Sequence, residues 1–203
     1  MIHVPFGFRL RKFAYILIIM IVYLVGFMGS GKSYTGKLLA SEMNVPHIDL
    51  DQWIEEKYRN SISSIFANEG EEAFRQKETL ALEELYQNMV TGFSKKYPDR
   101  GISLIISTGG GAPCFNGNMD WMNQHGLTVW LDPHLEVLLK RLEKEKSHRP
   151  LLAGLTKEEM EKFVVQKLKE RSVFYGQANL RICDEKMDTK TLIKNITHAQ
   201  NIQ

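Results

Sequence analysis

The run Gly26-Phe27-Met28-Gly29-Ser30-Gly31-Lys32-Ser33 has the residue types and spacing to hold a nucleoside triphosphate. Its glycines let the backbone bend so that successive N–H groups face one set of phosphate oxygens. Lys32 can reach the β- and γ-phosphates, and the Ser33 hydroxyl can ligate a Mg²⁺ ion that they carry. A helix begun at Lys32 adds the positive end of its dipole. The pattern is a complete Walker A phosphate loop. The alternative is a glycine turn between a strand and a helix. It is disfavoured because both flanking elements that a phosphate loop needs are present.

Three further groups could act beside it. His47-Ile48-Asp49-Leu50-Asp51 follows the first helix and should lie at the carboxyl edge of a sheet, where α/β proteins bind ligands. Alternation along a strand puts Asp49 and Asp51 on the same side. One can hold Mg²⁺ through water, and the other can accept a hydrogen bond from an acceptor hydroxyl. Asp51 could equally do no more than cap the next helix. In Gly70-Glu71-Glu72-Ala73-Phe74-Arg75-Gln76-Lys77-Glu78, Arg75 is one turn from both Glu71 and Glu78. Held that way, its guanidinium is a prepared fork for a carboxylate; the competing reading is a solvated, salt-bridged face. Finally, Ile105-Ile106-Ser107-Thr108-Gly109-Gly110-Gly111 is a buried strand ending in three glycines, which lets backbone approach a ligand closely.

These groups need a sheet to position them. Candidate strands fall at 21–25, 46–50, 104–108, 127–132 and 179–183. Candidate helices fall at 32–43, 51–58, 61–68, 71–90, 133–145, 157–171 and 189–199. Such alternation predicts a parallel sheet covered on both faces. Asn44-Val45-Pro46 should stop the first helix. Asp132-Pro133 should start another, with proline at its first position. Thr156-Lys157-Glu158-Glu159 reads as a capping box. Phe74, Leu82, Leu85 and Met89 mark a buried helical face. Residues 95–101 read as a surface loop, and the charged stretch 143–155, ending its run at Arg149-Pro150, as a solvated excursion suited to a lid.

Composition sets outer limits. The 203 residues, 43% hydrophobic and 25% charged, suit one globular domain. A net charge of +2 gives no case for nucleic acid or an anionic membrane, so an anionic ligand must meet locally placed basic residues. Cys114 and Cys183 form no metal spacing and no disulfide framework, which points to a reducing compartment. Residues Phe13 to Val25 form an apolar run of 13 residues after Arg9, Arg11 and Lys12. That is short of the roughly 20 a spanning helix needs, and no small-residue cleavage site follows. The run continues into the phosphate loop, so its second half is expected to be the first strand. Residues 1–19 are expected to be an extension outside the domain, with Met20 a candidate first residue.

The ordered set Gly26–Ser33, Asp49-x-Asp51, Gly70-Glu71-x-x-Phe74-Arg75-x-x-Glu78, Gly109-Gly110-Gly111, Arg149-Pro150-Leu151-Leu152 and Arg171-x-x-x-Tyr175 resembles the shikimate kinase family, from Met20 onward. Adenylate-kinase-like relatives share the loop but not this set. The resemblance implies an α/β P-loop kinase fold: a five-stranded parallel sheet with helices on both faces, a helical substrate-binding region, and a mobile lid at about 143–158. It also implies phosphoryl transfer from ATP to the 3-hydroxyl of shikimate, with Mg²⁺, in a cytoplasmic monomer that binds neither nucleic acid nor membrane. Carried over by position, Gly29, Ser30, Gly31, Lys32, Ser33 and Tyr34 hold ATP. Ser33 and Asp49 hold Mg²⁺, and Asp51 binds the acceptor hydroxyls. Arg75 and Arg171 grip the substrate carboxylate, Gly109, Gly110 and Gly111 approach substrate, and Arg149 meets the transferring phosphoryl group with Pro150 beside adenine. Lys32, Asp51 and Arg149 are thus the catalytic set. The chain departs from the family where an adenine-stacking arginine is expected: that position is Leu142, and Arg141 is the nearest substitute. The loop around Lys186, which flanks adenine in the family, gives no assignment.

Two rival readings remain open at this point. A gluconate-kinase-like enzyme would share the fold, but the paired arginines and the Gly109–Gly111 run argue against it. A nucleotide-binding module without turnover would have no need of Lys32, Ser33, Asp49, Asp51 and Arg149 together.

Overall fold

The computed structural model describes residues 20–93, 102–146, 149, 151–184 and 187–200. The expectations for residues 1–19, for the 95–101 loop, for Pro150, for the Lys186 position and for part of the 143–158 lid lie outside the described residues.

Five strands form one parallel sheet: β1 (Met20–Val25), β2 (His47–Asp49), β3 (Ile102–Ser107), β4 (Leu127–Leu131) and β5 (Leu180–Ile182), in spatial order β2-β3-β1-β4-β5. The central strand is apolar along its whole length because both its faces are covered. Ile21, Tyr23 and Val25 pack into one core, and Val22 and Leu24 into the other, all five without solvent exposure. The strand alternation thus assigns successive side chains to opposite helical layers. β1 therefore fixes the position of the loop that leaves its carboxyl end.

Helices α1 (Lys32–Met43), α2 (Leu50–Tyr58), α3 (Ile62–Asn88), α4 (Asn118–His125), α5 (Leu135–Glu145), α6 (Lys157–Tyr175) and α7 (Thr189–Gln200) cover the sheet. α1 stops at Asn44, which takes a left-handed conformation before Pro46. α3 joins the two expected helices across a break at Gly70 (φ 86°, ψ 173°). Its second leg buries Phe74, Leu82 and Leu85, with Met89 just beyond, along the expected stripe. The capping box is present: Thr156 accepts from Glu159 N, and Glu159 accepts from Thr156 N.

Two expectations fail for local reasons. The fifth helix does not begin at Pro133. Asp132 N donates to Ile182 O at 2.8 Å, and Arg181 holds the Asp132 carboxylate. Asp132 is thereby committed to the β5 side, and the helix starts at Leu135 with His134 as its N-cap residue. The strand expected at 46–50 is only three residues long. Asp49 ends it and caps α2, accepting from Asp51 N at 3.2 Å and Gln52 N at 3.4 Å. Asp51 accordingly lies in the first turn of a helix and is not a strand residue. α4 and the short 3₁₀ turn Ala112–Cys114 were not foreseen.

Candidate active site

The loop after β1 sets the geometry of the site. Gly31 sits at φ 98°, a left-handed conformation that turns the chain into α1. The loop rims a cleft of about 680 Å³, whose walls also include Asp49, Asp51, Gly110, Arg141 and Arg149. Lys32 is 8% exposed and donates to Gly26 O at 2.8 Å and Phe27 O at 2.9 Å. Its ammonium therefore lies inside the loop's curve. Burial lowers its pKa to about 8, against the opposing pull of Asp51.

Ser33 and Asp49 are joined directly: the Ser33 hydroxyl donates to Asp49 Oδ2. A hydroxyl and one carboxylate beside a phosphate loop fit Mg²⁺, which keeps several waters and takes its other ligands from substrate phosphates. Among the described residues, no cluster of three His, Cys, Asp or Glu side chains could hold a metal alone. The site suits an ion that arrives with its nucleotide. Asp51 faces the same cleft. Burial, and then the nearby Asp49 charge, raise its pKa to about 6. Since Asp49 supplies the helix cap, that role for Asp51 is excluded.

Arg75 is held as its spacing suggested. Nε and Nη2 donate to Glu71 Oε1 at 3.2 and 2.9 Å, and Nη1 donates to Glu78 Oε2 at 2.7 Å. The residue is 8% exposed, so this is no solvated surface pair. Burial works against its charge, and Glu78 and Glu71 outweigh that and raise its pKa. Phe115 lies under the guanidinium, 4.3 Å from ring centroid to Cζ. The space over Gly111 belongs to Arg75: a Cβ there would meet the guanidinium at 2.5 to 2.8 Å. Gly110 opposes Arg171, whose Nη1 is 3.6 Å from the position a Cβ would take. Tyr175 donates its hydroxyl to Gly110 O. The arginines of α3 and α6 therefore both lie against the glycine run that leaves β3.

Arg149 reaches the cleft from the segment after α5, with Nη2 2.5 Å from Glu145 Oε2. Its charge is felt at Lys32. Arg141 does not occupy the turn of α5 that points at the core. Leu142 does, fully buried, with its side chain against Gly29. Arg141 Nη1 instead donates to Gly29 O at 3.2 Å and Ser30 O at 3.3 Å, on the cleft wall. Tyr34 is 70% exposed at the rim.

Phe115, Tyr175's bond to Gly110, and the approach of Asp51 to Gly109 were not legible beforehand. Phe115 follows an unforeseen turn, and no spacing marks it as a neighbour of Arg75. Among the described residues no helix is long and apolar enough to cross a membrane. Cys114 and Cys183 are both free thiols.

The shikimate kinase family model matches residues 28–200. A shikimate kinase of Parabacteroides distasonis is 43% identical over 178 residues, covering 88% of this chain and 95% of that protein. One from Bacteroides fragilis is 41% identical over 173 residues, covering 85% and 89%. The crystal structure of shikimate kinase from Bacteroides thetaiotaomicron superposes with a TM-score of 0.74 at 37% identity, covering 90% of this chain and 97% of that one. The Acinetobacter baumannii shikimate kinase, solved in complex with shikimate, superposes with a TM-score of 0.72 at 31% identity, covering 90% and 93%. Met28 to Ser33 of the phosphate loop, the buried arginine of α3 and the glycine run after β3 lie inside residues 28–200, and this chain belongs to the shikimate kinase family.

Proposed function

We propose that this protein transfers the γ-phosphoryl group of ATP to the 3-hydroxyl of shikimate, giving shikimate 3-phosphate and ADP on the route to chorismate and the aromatic amino acids. The observation that carries this reading is the Arg75 fork, buried and locked by Glu71 and Glu78, with Arg171 against the same glycine run beside the phosphate loop. Such a pair suits a compact ring acid. Gluconate, an extended acid, gives no reason for two arginines next to a closely approached backbone.

In this reading Gly29, Ser30, Gly31, Lys32, Ser33 and Tyr34 line the triphosphate. Ser33 and Asp49 would hold Mg²⁺, which would offset the charge of the β- and γ-phosphate oxygens. Lys32 turns its ammonium from the loop carbonyls toward those oxygens. Arg75 and Arg171 fix the substrate carboxylate, and Gly109, Gly110 and Gly111 let the ring sit against backbone. Asp51 accepts a hydrogen bond from the 3-hydroxyl and aligns its oxygen with the γ-phosphorus. Arg149 stabilises charge on the group in flight, and Arg141 flanks the adenine from the cleft wall. Positioning and charge neutralisation supply most of the rate in such transfers.

Arg75→Lys and Arg171→Lys keep a charge but lose the bidentate fork. Each is expected to raise the KM for shikimate about ten- to hundredfold, the scale of a hydrogen bond to a charged group. Nucleotide binding without shikimate should stay near normal. Equal losses for both substrates, in steady-state kinetics and nucleotide titration, would assign these arginines a structural role.

The same reading takes residues 20–203 as one domain, with a lid at about 143–158 and residues 1–19 outside it. Deleting residues 1–19 is expected to leave folding and kcat intact, because β1 begins at Met20 with Ile21 to Val25 already fully buried. A shortened chain that fails to fold would place the upstream residues in the core. A cytoplasmic location accords with the free thiols and the use of ATP. A monomer is expected; mass in solution tests this. A net charge of only +2 gives no case for nucleic acid or a membrane as partner. The substrate assignment is tested by ADP release that requires shikimate, with ³¹P NMR locating the phosphate on the 3-oxygen.

A further inference from the structure

Glu78 is wholly buried yet only half satisfied. Its Oε2 accepts from Arg75 Nη1 at 2.7 Å, while its Oε1 has no hydrogen-bond partner among the described residues. A buried polar atom without a partner is costly. This one does not face apolar packing. Glu78 Oε1 lies 2.7 Å from the point a Cβ on Gly109 would occupy, and Asp51 Oδ1 lies 2.6 Å from that same point. Two carboxyl oxygens from α3 and α2 thus converge over one bare Cα.

A carboxyl group so deeply buried is driven to hold its proton chiefly by the loss of solvent, and the nearby Asp51 charge adds to this. The charged and titratable groups facing Glu78 are few. Arg75 faces it from its own helix, Asp51 from α2, Arg171 from α6, and the Cys114 thiol from the turn after β3. Only the two arginines favour a negative Glu78. In the reading above both are committed to the substrate carboxylate, which adds another negative charge to the same pocket.

We propose that Glu78 is the protonated partner of Asp51: its Oε1–H donates to the Asp51 carboxylate and holds that carboxylate in register with the acceptor hydroxyl. Asp51 keeps its second oxygen for the substrate. Glu78 is a positioning residue in this arrangement, acting through Asp51 on one side and Arg75 on the other. Burial is the main cause that pushes its pKa up to about 7, with Arg75 opposing and Asp51 adding. The absence of a side chain at Gly109 also acquires a reason here, since even a methyl group would part the two acids.

The inference rests on the reading of Asp51 as the group that orients the acceptor, and its test separates the two. Glutamine matches neutral glutamic acid: its carbonyl can accept from Arg75, and its amide can donate to Asp51. Alanine does neither. Glu78→Gln is expected to retain a kcat about tenfold or more above that of Glu78→Ala, the scale of one hydrogen bond to a charged group. A second readout needs no turnover. A carboxyl whose folded pKa is raised from 4.5 to about 7 binds its proton more tightly folded than unfolded. Its stabilisation is full below the unfolded value and is lost as pH rises through the folded one. The Tm of Glu78→Gln relative to wild type should therefore climb by several degrees between about pH 5 and about pH 8. A flat Tm difference across that window, or a Glu78→Gln kcat as low as that of Glu78→Ala, would overturn the proposal. If wild type made no shikimate-dependent ADP, the substrate reading would fall, and the Tm comparison would still decide the protonation of Glu78. If the alanine variant does not fold, the Tm of Glu78→Gln decides alone.

Discussion

Arg149→Ala is expected to lower kcat by about 10³-fold, the scale of removing a charged donor from a transferring phosphoryl group. The KM for ATP should move far less. The reason lies in when the charge is needed. In the proposed mechanism ground-state triphosphate would already be met by the loop N–H groups, Lys32 and Mg²⁺, whereas charge on the γ-oxygens and the bridging oxygen redistributes only during transfer. Arg149 is placed for that moment. Its side chain is about a third exposed, its carboxylate partner Glu145 sits on the same cleft wall, and its charge reaches Lys32. A guanidinium tied to Glu145 can exchange that partner for phosphate oxygens with little reorganisation. Initial rates with both substrates varied separate the outcomes. Normal kcat with only a raised KM for ATP would place Arg149 outside the transition-state shell.

Asp51→Asn is expected to lower kcat by about 10²-fold or more, the range of general acid–base contributions, with nucleotide affinity little changed. The substitution keeps shape and removes the charge proposed to orient the acceptor hydroxyl. The structure sharpens this test, because the competing role as a helix cap belongs to Asp49, which accepts from both Asp51 N and Gln52 N. A loss of activity at Asp51 therefore cannot be ascribed to fraying of α2. Because burial and the Asp49 charge raise the folded pKa of Asp51 to about 6, removing its charge should not lower the Tm at neutral pH. If shikimate turnover stays near normal, Asp51 does not act on the acceptor.

The comparison of sequence and structure follows the range over which each signal acts. The phosphate loop was legible because glycines, lysine and serine report their own backbone and ligand needs over eight consecutive positions. The Arg75 latch was legible because Glu71 and Glu78 sit at helical spacings, which are local. β1 was legible despite the apolar run upstream, since a loop of this kind requires a strand before it. Contacts between distant segments were not. Nothing near Gly109 announces that Asp51 and Glu78 both lean over it, and nothing near Tyr175 announces its bond to Gly110. Helix starts failed where tertiary pairing overruled local preference. Pro133 favours a first helical turn, but Asp132 is pulled toward Ile182 and Arg181, so the turn is delayed to Leu135. Arg141 illustrates a register effect. One residue around the helix from the buried Leu142, it lands on the loop carbonyls of Gly29 and Ser30.

ADP formation by the purified protein with ATP and Mg²⁺, measured with shikimate, with gluconate and with no acceptor, decides whether shikimate is the acceptor. The account predicts rapid ADP release with shikimate, matched one-for-one by shikimate 3-phosphate, and only background release in the other two reactions. ADP release that is as fast without an acceptor, or faster with gluconate, would contradict it.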